Sequence, residues 1–143
     1  MTYNEWLSCI EELKKSNNYM ILDRLSNEEV NNNINSMLEP KLIELIYYRF
    51  KSSVSNIIVN LRDMYSDQYY LDLILLNFRK DIEFIKKIMK LKQISDKEYV
   101  RLNDDLKKEL DESYKILEEE AVYVDDTGNL LMIIRNNRIK WSE

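Results

Sequence analysis

The chain lacks histidine altogether and has one cysteine, one glycine and one proline in 143 residues. Without histidine it cannot build a histidine-based triad, an imidazole acid–base pair or a histidine metal site. A single glycine allows neither a phosphate loop nor a dinucleotide fingerprint, and a structural zinc site needs several Cys or His ligands. These gaps exclude most common enzyme mechanisms. We therefore expect a protein that is not an enzyme and that holds no cofactor and no metal ion.

The scarcity of cysteine and of long apolar runs favours a location inside the cell and outside the membrane. Cys9 is the only cysteine, so no intrachain disulfide forms, which is typical of a reducing compartment. The N-terminal residues lack the basic region and apolar core of a signal peptide. The most apolar run, residues 69–78, is interrupted by Asp72 and Asn77 and is too short to span a membrane. We expect a soluble, cytoplasmic protein that does not enter a membrane.

The lack of turn-forming residues also bears on the fold. An all-β fold needs many tight turns, so one glycine and one proline favour a few long helices instead. Hydrophobic residues make up 45% of the chain and charged residues 33%, which is typical of a globular protein. A chain of this length is most simply one domain, residues 1–143. We predict a helical bundle over residues 1–120 and an appended unit over residues 121–143.

Residues 41–94 contain no glycine or proline and predict the centre of the fold. Apolar residues recur there every three or four positions: Leu42, Ile46, Phe50, Val54, Ile57, Leu61 and Met64, then Leu71, Ile74, Leu75, Phe78, Ile82, Ile85 and Met89. Unbroken, such a helix would span roughly 80 Å at about 1.5 Å per residue, which is too long for a small domain. Because Ser66 and Asp67 can cap a new helix, we predict a break near Ser66 and an antiparallel hairpin. The alternative is one long helix that dimerises.

Three capping boxes predict further helix starts, at residues 2–5, 26–29 and 95–98. The helix after the second box is weakened by asparagines at 31–33. The helix after the third box has a narrow apolar stripe on a highly charged surface: Tyr99, Leu102, Leu106, Leu110, either Ser113 or Tyr114, and Leu117.

The pattern changes at Ala121 and predicts strands. Val122 and Val124 lie opposite Tyr123, a turn follows at 125–129, and residues 130–134 and 139–141 read as two more strands. Such a meander must pack on the bundle, through Ile133 and Trp141, because isolated hairpins are marginally stable. The predicted fold is mainly α: a helical bundle around a long helical hairpin, with a small C-terminal antiparallel β-meander.

Two short strings near this turn are similar to catalytic motifs. Residues 123–126, Tyr-Val-Asp-Asp, resemble the catalytic hairpin of reverse transcriptases, and residues 126–128, Asp-Thr-Gly, resemble the triplet of aspartic proteases. The first motif requires another carboxylate on a large palm sheet, and the second requires a β-rich lobe with a second aspartate. A mostly helical chain of this length supplies neither, so we interpret both strings as a turn.

Charge is unevenly distributed along a chain whose net charge is −5. Residues 41–94 carry ten cations against six carboxylates, whereas the segments on either side are acidic. Arg79, Lys86 and Lys90 share one helical face, with Lys87 at its edge, but Glu83 falls among them. Such a patch suits nucleic-acid phosphates. The alternative is a solvated face that complements acidic neighbours.

The acidic counterpart lies in residues 104–126, which hold ten carboxylates against three lysines. Four of the carboxylates are candidates for a functional acidic face: Asp105, Glu109, Glu112 and Glu119. A row of carboxylates can imitate a phosphate backbone and block a basic groove. More often such a row keeps an amphipathic helix soluble.

Tyrosine is abundant, with ten residues in the chain. Five of them lie in the central segment: Tyr47, Tyr48, Tyr65, Tyr69 and Tyr70. Tyrosine is enriched at interfaces because its ring buries area while its hydroxyl stays polar. The alternative is packing at the edge of the core, together with codon bias, because Ile, Asn, Lys and Tyr supply 55 residues and have AT-rich codons. Such a bias is typical of an AT-rich bacterial or phage genome.

These patterns favour a non-catalytic intracellular protein-binding module: a small acidic inhibitor, antidote or adaptor of a larger protein or nucleoprotein complex, of phage or mobile-element origin. The candidate partner-binding residues are the five tyrosines and the cations Arg79, Lys86, Lys87 and Lys90. Three alternatives remain open: a helical subunit that contacts nucleic acid through residues 79–92, an acidic DNA mimic that uses the carboxylate row, and a homodimer.

Overall fold

The computed structural model describes residues 5, 8, 33–64 and 66–142 of the chain. These residues form four α-helices, which we label α1 (Glu39–Met64), α2 (Gln68–Met89), α3 (Asp96–Val124) and α4 (Asn129–Asn136), and they contain no strand. The helices predicted after the capping boxes at 2–5 and 26–29 lie almost entirely outside the described residues.

The break predicted near Ser66 is present. Helix α1 ends at Met64, and α2 begins after Asp67, whose Oδ1 accepts a hydrogen bond from the backbone N–H of Tyr70 at 3.2 Å. Arg49 of α1 pairs with Asp81 of α2, and the two residues lie at similar distances from the turn. The two helices are therefore antiparallel. The alternative prediction, one continuous helix over residues 41–94, is wrong.

Helices α1 and α3 run in the same direction. The hydroxyl of Tyr47 donates to Asp105, and the guanidinium of Arg62 donates to Glu120, with a sequence separation of 58 in both pairs. A constant separation between two helices requires them to be parallel. The three long helices therefore form an up-down-up bundle.

The core lies along the three long helices. Its deepest side chains are those of Leu42, Leu45, Ile46, Ile57 and Leu61 from α1, Leu71, Ile82, Ile85 and Ile88 from α2, and Leu102, Leu106, Leu110, Tyr114 and Leu117 from α3. Full burial of one such aliphatic side chain contributes about 1.5–3 kcal/mol. Phe78 and Tyr114 join α2 to α3 by an edge-to-face contact, with ring centroids 6.3 Å apart.

The predicted C-terminal β-meander is wrong. Helix α3 continues to Val124 because Leu117, Ala121 and Val124 keep helical spacing and pack on the core. Gly128 then turns the chain with a left-handed φ of 84°. Leu130 and Ile134, which lie one helical turn apart on α4, are both buried, so this apolar run is a helix.

The C-terminal segment, residues 137–142, runs back along the bundle. The backbone N–H of Ile139 donates to the hydroxyl of Tyr114 at 2.8 Å, and Trp141 Nε1 donates to Asn103 Oδ1 at 2.7 Å. Trp141 is buried as predicted, whereas Ile133 is only half-buried. Within the described ranges, none of the helices has the length and apolar character needed to cross a membrane.

Candidate functional site

The helix directions bring distant parts of the sequence together at one end of the bundle. The C-termini of α1 and α3 meet the N-terminus of α2 there, because α1 and α3 are parallel and α2 is antiparallel to α1. We call this the tyrosine end and define it as residues 59–73 and 116–129. It contains eight carboxylates against one cation, Arg62.

Two tyrosines project from this end into solvent. The side chains of Tyr69 on α2 and Tyr123 on α3 are 78% and 86% exposed, whereas every other described aromatic side chain is buried or half-buried. Leu73 and Val122 are exposed beside them in sequence. An exposed tyrosine ring offers a large, rigid contact area with a polar tip.

Some of the carboxylates here are already paired. Arg62 donates from Nε to Glu120 Oε2 at 2.9 Å and from Nη2 to Glu120 Oε1 at 2.7 Å. The hydrogen bonds from Arg62 hold the pKa of the Glu120 carboxyl below its usual value. Glu118 pairs with Arg135 of α4 at 3.3 Å.

Other carboxylates at the tyrosine end have no partner within the described part of the chain. Asp63, Glu119 and Asp126 are exposed and form no hydrogen bond or ion pair with any described residue. Because these charges remain in solvent, the tyrosine end presents a negative potential to an approaching protein.

Asp125, in contrast, is a structural residue. Its carboxylate accepts hydrogen bonds from the Thr127 hydroxyl at 2.6 Å, from the Thr127 N–H at 3.1 Å and from the Leu130 N–H at 3.1 Å. The hydrogen bonds from Thr127 lower the pKa of Asp125 most. This carboxylate thus stabilises the start of α4. Across the described ranges, no group of three or more Asp, Glu or Cys residues is placed to hold a metal ion.

The predicted tyrosines have different environments. Tyr47 is half-buried and donates to Asp105 at 3.0 Å; burial first, and then this carboxylate, raise the pKa of its hydroxyl. Tyr48 and Tyr70 are half-buried against the core. Tyr69 is exposed, and Tyr65 lies outside the described residues.

Tyr123 is the residue that sequence reasoning missed. It was assigned to a strand, but it lies on the outer face of α3, four residues after Glu119. The signal was present in the spacing. Asp105, Glu109, Glu112, Ile116, Glu119 and Tyr123 recur every three or four residues, and all six are exposed.

The structure therefore joins two surfaces that the sequence suggested separately. The predicted acidic face forms one continuous row along α3, and this row ends at Tyr123 in the tyrosine end. Asp105 accepts the Tyr47 hydrogen bond, whereas the carboxylates of Glu109 and Glu112 have no partner within the described part of the chain. We call the residues Asp105, Glu109, Glu112, Ile116 and Glu119 the acidic row.

The structure divides the predicted basic patch. Arg79 and Lys86 are half-buried; Lys86 Nζ donates to the backbone carbonyl of Trp141 and lies 4.8 Å from the centroid of its ring. Lys87 and Lys90 are exposed. Lys86 thus holds the C-terminal segment in place, and the freely exposed lysines lie at the opposite end of the bundle from the tyrosines.

Comparison with protein-family models, with curated proteins and with solved structures finds no match for this chain. Inferences about its function therefore rest on its own surface.

Proposed function

We propose that the protein is a non-catalytic binding module that acts as a small inhibitor, antidote or adaptor of a larger protein. The tyrosine end, together with the acidic row, contacts a partner surface rich in Lys and Arg. The observation that carries this proposal is the coincidence, at one end of the bundle, of two exposed tyrosines with eight carboxylates and a single arginine.

The exposed rings supply the apolar part of such an interface. Tyrosine is among the residues that dominate binding energy at interfaces, because its ring fills a pocket on the partner while its hydroxyl stays hydrogen-bonded. Tyr69 and Tyr123 each offer about 150–250 Å² of ring surface. A standard interface buries about 800 Å² on each partner, so the two rings with Leu73 and Val122 supply a substantial share of that area.

The charges supply the specificity. Glu118, Glu119 and Glu120 are three consecutive carboxylates close to the C-terminus of α3, and their like charges repel one another. A cationic partner surface would offset this repulsion on binding. It would also be steered toward the tyrosine end, so that association is fast at low salt and slower as salt screens the charges.

Affinity purification from the organism of origin tests the proposal. The wild-type chain, a Tyr69→Ala/Tyr123→Ala double variant and a Val100→Ala control are compared at the same concentration; Val100 is 58% exposed but lies near the N-terminus of α3, at the other end. We expect wild type and control to retain one stoichiometric protein. The double variant should bind it about a hundredfold or more weakly, because each tyrosine that acts as a hot spot contributes at least about 2 kcal/mol.

The thermal midpoints of all three chains serve as the folding control, and they should agree because both tyrosines are exposed. Retention of the same partner by the double variant at wild-type strength would contradict the proposal. So would a partner whose contact surface is acidic.

A further inference from the structure

A cleft opens at the end of the bundle opposite the tyrosines, between α2, α3 and the C-terminal segment. Its volume is ≈ 230 Å³, and its lining includes Lys86, Lys90 and Lys107. None of the described residues that line it is Asp or Glu, although the chain contains 26 of these residues. We call it the lysine cleft.

The lysines reach the cleft from two helices. Lys86 and Lys90 lie one turn apart on α2, and Lys107 approaches from α3. The side chains of Lys90 and Lys107 form no hydrogen bond or ion pair with any described residue. Because the ammonium groups of Lys90 and Lys107 have no counter-ion among the described residues and like charges repel one another, an anion between them is bound favourably.

The polar groups beside the lysines are held in position. Trp141 Nε1 donates to Asn103 Oδ1 at 2.7 Å, which directs the oxygen of this carboxamide toward the indole. The Asn103 amide nitrogen then remains as a hydrogen-bond donor, and Tyr99 also lines the cleft. The described residues that line the lysine cleft therefore offer ammonium and amide donors, and none of them carries a side-chain carboxylate.

We propose that the lysine cleft binds a small phosphate group, of the size of inorganic phosphate or pyrophosphate. Its volume is below the roughly 300–1,000 Å³ of sites for drug-sized ligands. Trp141 is buried, and Lys86 lies over its ring, so this indole offers no open face on which a nucleobase would stack. This site is independent of the partner surface proposed at the tyrosine end.

Titration with pyrophosphate, against sodium chloride at equal ionic strength, tests the site. Trp141 lines the cleft, so its fluorescence reports binding in a Trp6→Phe background, and the thermal midpoint of the unaltered chain gives a second measurement. We expect a saturable change in emission and a rise in the midpoint. Lys90→Gln and Lys107→Gln should each weaken binding by about tenfold or more, because each removes a charge-assisted hydrogen bond.

A Lys92→Gln/Lys97→Gln variant is the matched control, because both lysines are exposed and neither lines the cleft. It should bind as the wild type does. Equal weakening in this control would show that only the general positive charge matters and would overturn the site. Absence of both a saturable signal and a midpoint shift at millimolar pyrophosphate would also overturn it.

The phosphate could be free in solution or lie at the end of a nucleic acid. Comparing the binding of a terminally phosphorylated oligonucleotide, the same oligonucleotide without the phosphate, and pyrophosphate distinguishes these two sources. If both pyrophosphate and the phosphorylated oligonucleotide bind, the cleft recognises the phosphate group itself, from either source. If the phosphorylated oligonucleotide binds far more tightly than its twin and than pyrophosphate, the ligand is a nucleic-acid end held by its terminal phosphate. Equal binding of the two oligonucleotides would contradict recognition of a terminal phosphate.

Discussion

Asp81 is the polar centre of the α1–α2 hairpin. Its Oδ1 accepts from Arg49 Nη2 at 2.7 Å, and its Oδ2 accepts from the hydroxyl of Ser53 at 2.7 Å. The side chains of Arg49 and Asp81 are only 9% and 17% exposed. The apolar spacing of the two helices did not reveal this pair, because a single charged residue on each helix hardly disturbs a hydrophobic stripe. Pairing between them depends on the register of the hairpin.

We predict that Asp81→Asn lowers the free energy of unfolding by about 3–5 kcal/mol, because it leaves the guanidinium of Arg49 buried beside a neutral group. Urea denaturation measures this change. An Arg49→Met/Asp81→Leu double variant should recover much of the loss, since no charge is then buried. Glu83→Gln, which alters an exposed carboxylate on the same helix, should change stability by less than about 0.5 kcal/mol. A loss for Asp81→Asn as small as that of Glu83→Gln would contradict this role.

At the scale of secondary structure, long periodic segments were predictable and short ones were not. The helical stripe of residues 41–94 and the break near Ser66 followed from spacing and from a local cap at Asp67. A strand was predicted at residues 122–124 because Val122, Tyr123 and Val124 alternate. Three residues fit a strand and a helix equally well. The helix forms because Ala121 and Val124 extend the buried stripe of α3.

The capping box at residues 95–98 was also only partly predictable from the sequence. Ser95 Oγ accepts from the N–H of Glu98 at 3.3 Å, as the box predicts. The reciprocal bond is absent, because Glu98 pairs with Arg101, and the N–H of Ser95 donates instead to Glu39 Oε2 at 2.7 Å. A carboxylate from the start of α1 thus completes the cap of α3. Sequence spacing cannot identify a partner that comes from another helix.

We predict that Gly128→Ala destabilises the protein by about 1–2 kcal/mol. The φ of 84° is unfavourable for a residue with a Cβ. No atom lies within 4 Å of the position a Cβ would occupy, so the cost arises from the backbone alone. Gly128→Asn should cost less, because asparagine tolerates this conformation better. Chemical denaturation measures both, and equal or greater stability of Gly128→Ala would show that the turn before α4 differs from that described.

At the scale of the whole molecule, charge separates by end rather than by helix. The tyrosine end holds eight carboxylates and one arginine, whereas residues 38–46 and 86–107 at the opposite end hold eight cations and six carboxylates. The sequence showed a basic centre between acidic flanks. It did not show that α1 and α3 are parallel, and that direction places the lysines of α2 far from the last carboxylates of α3. Contacts such as those between Arg62 and Glu120 are evidence of this direction.

The central claim, that a basic partner binds at the tyrosine end, is tested most directly by site-specific photo-crosslinking in the organism of origin. A photoreactive phenylalanine analogue replaces Tyr69, Tyr123 or, as the control, Val100. We expect positions 69 and 123 to crosslink to the same protein, through peptides rich in Lys and Arg, and position 100 to give no such product. Capture of that protein with equal yield from position 100, or no crosslink from positions 69 and 123, would contradict the account.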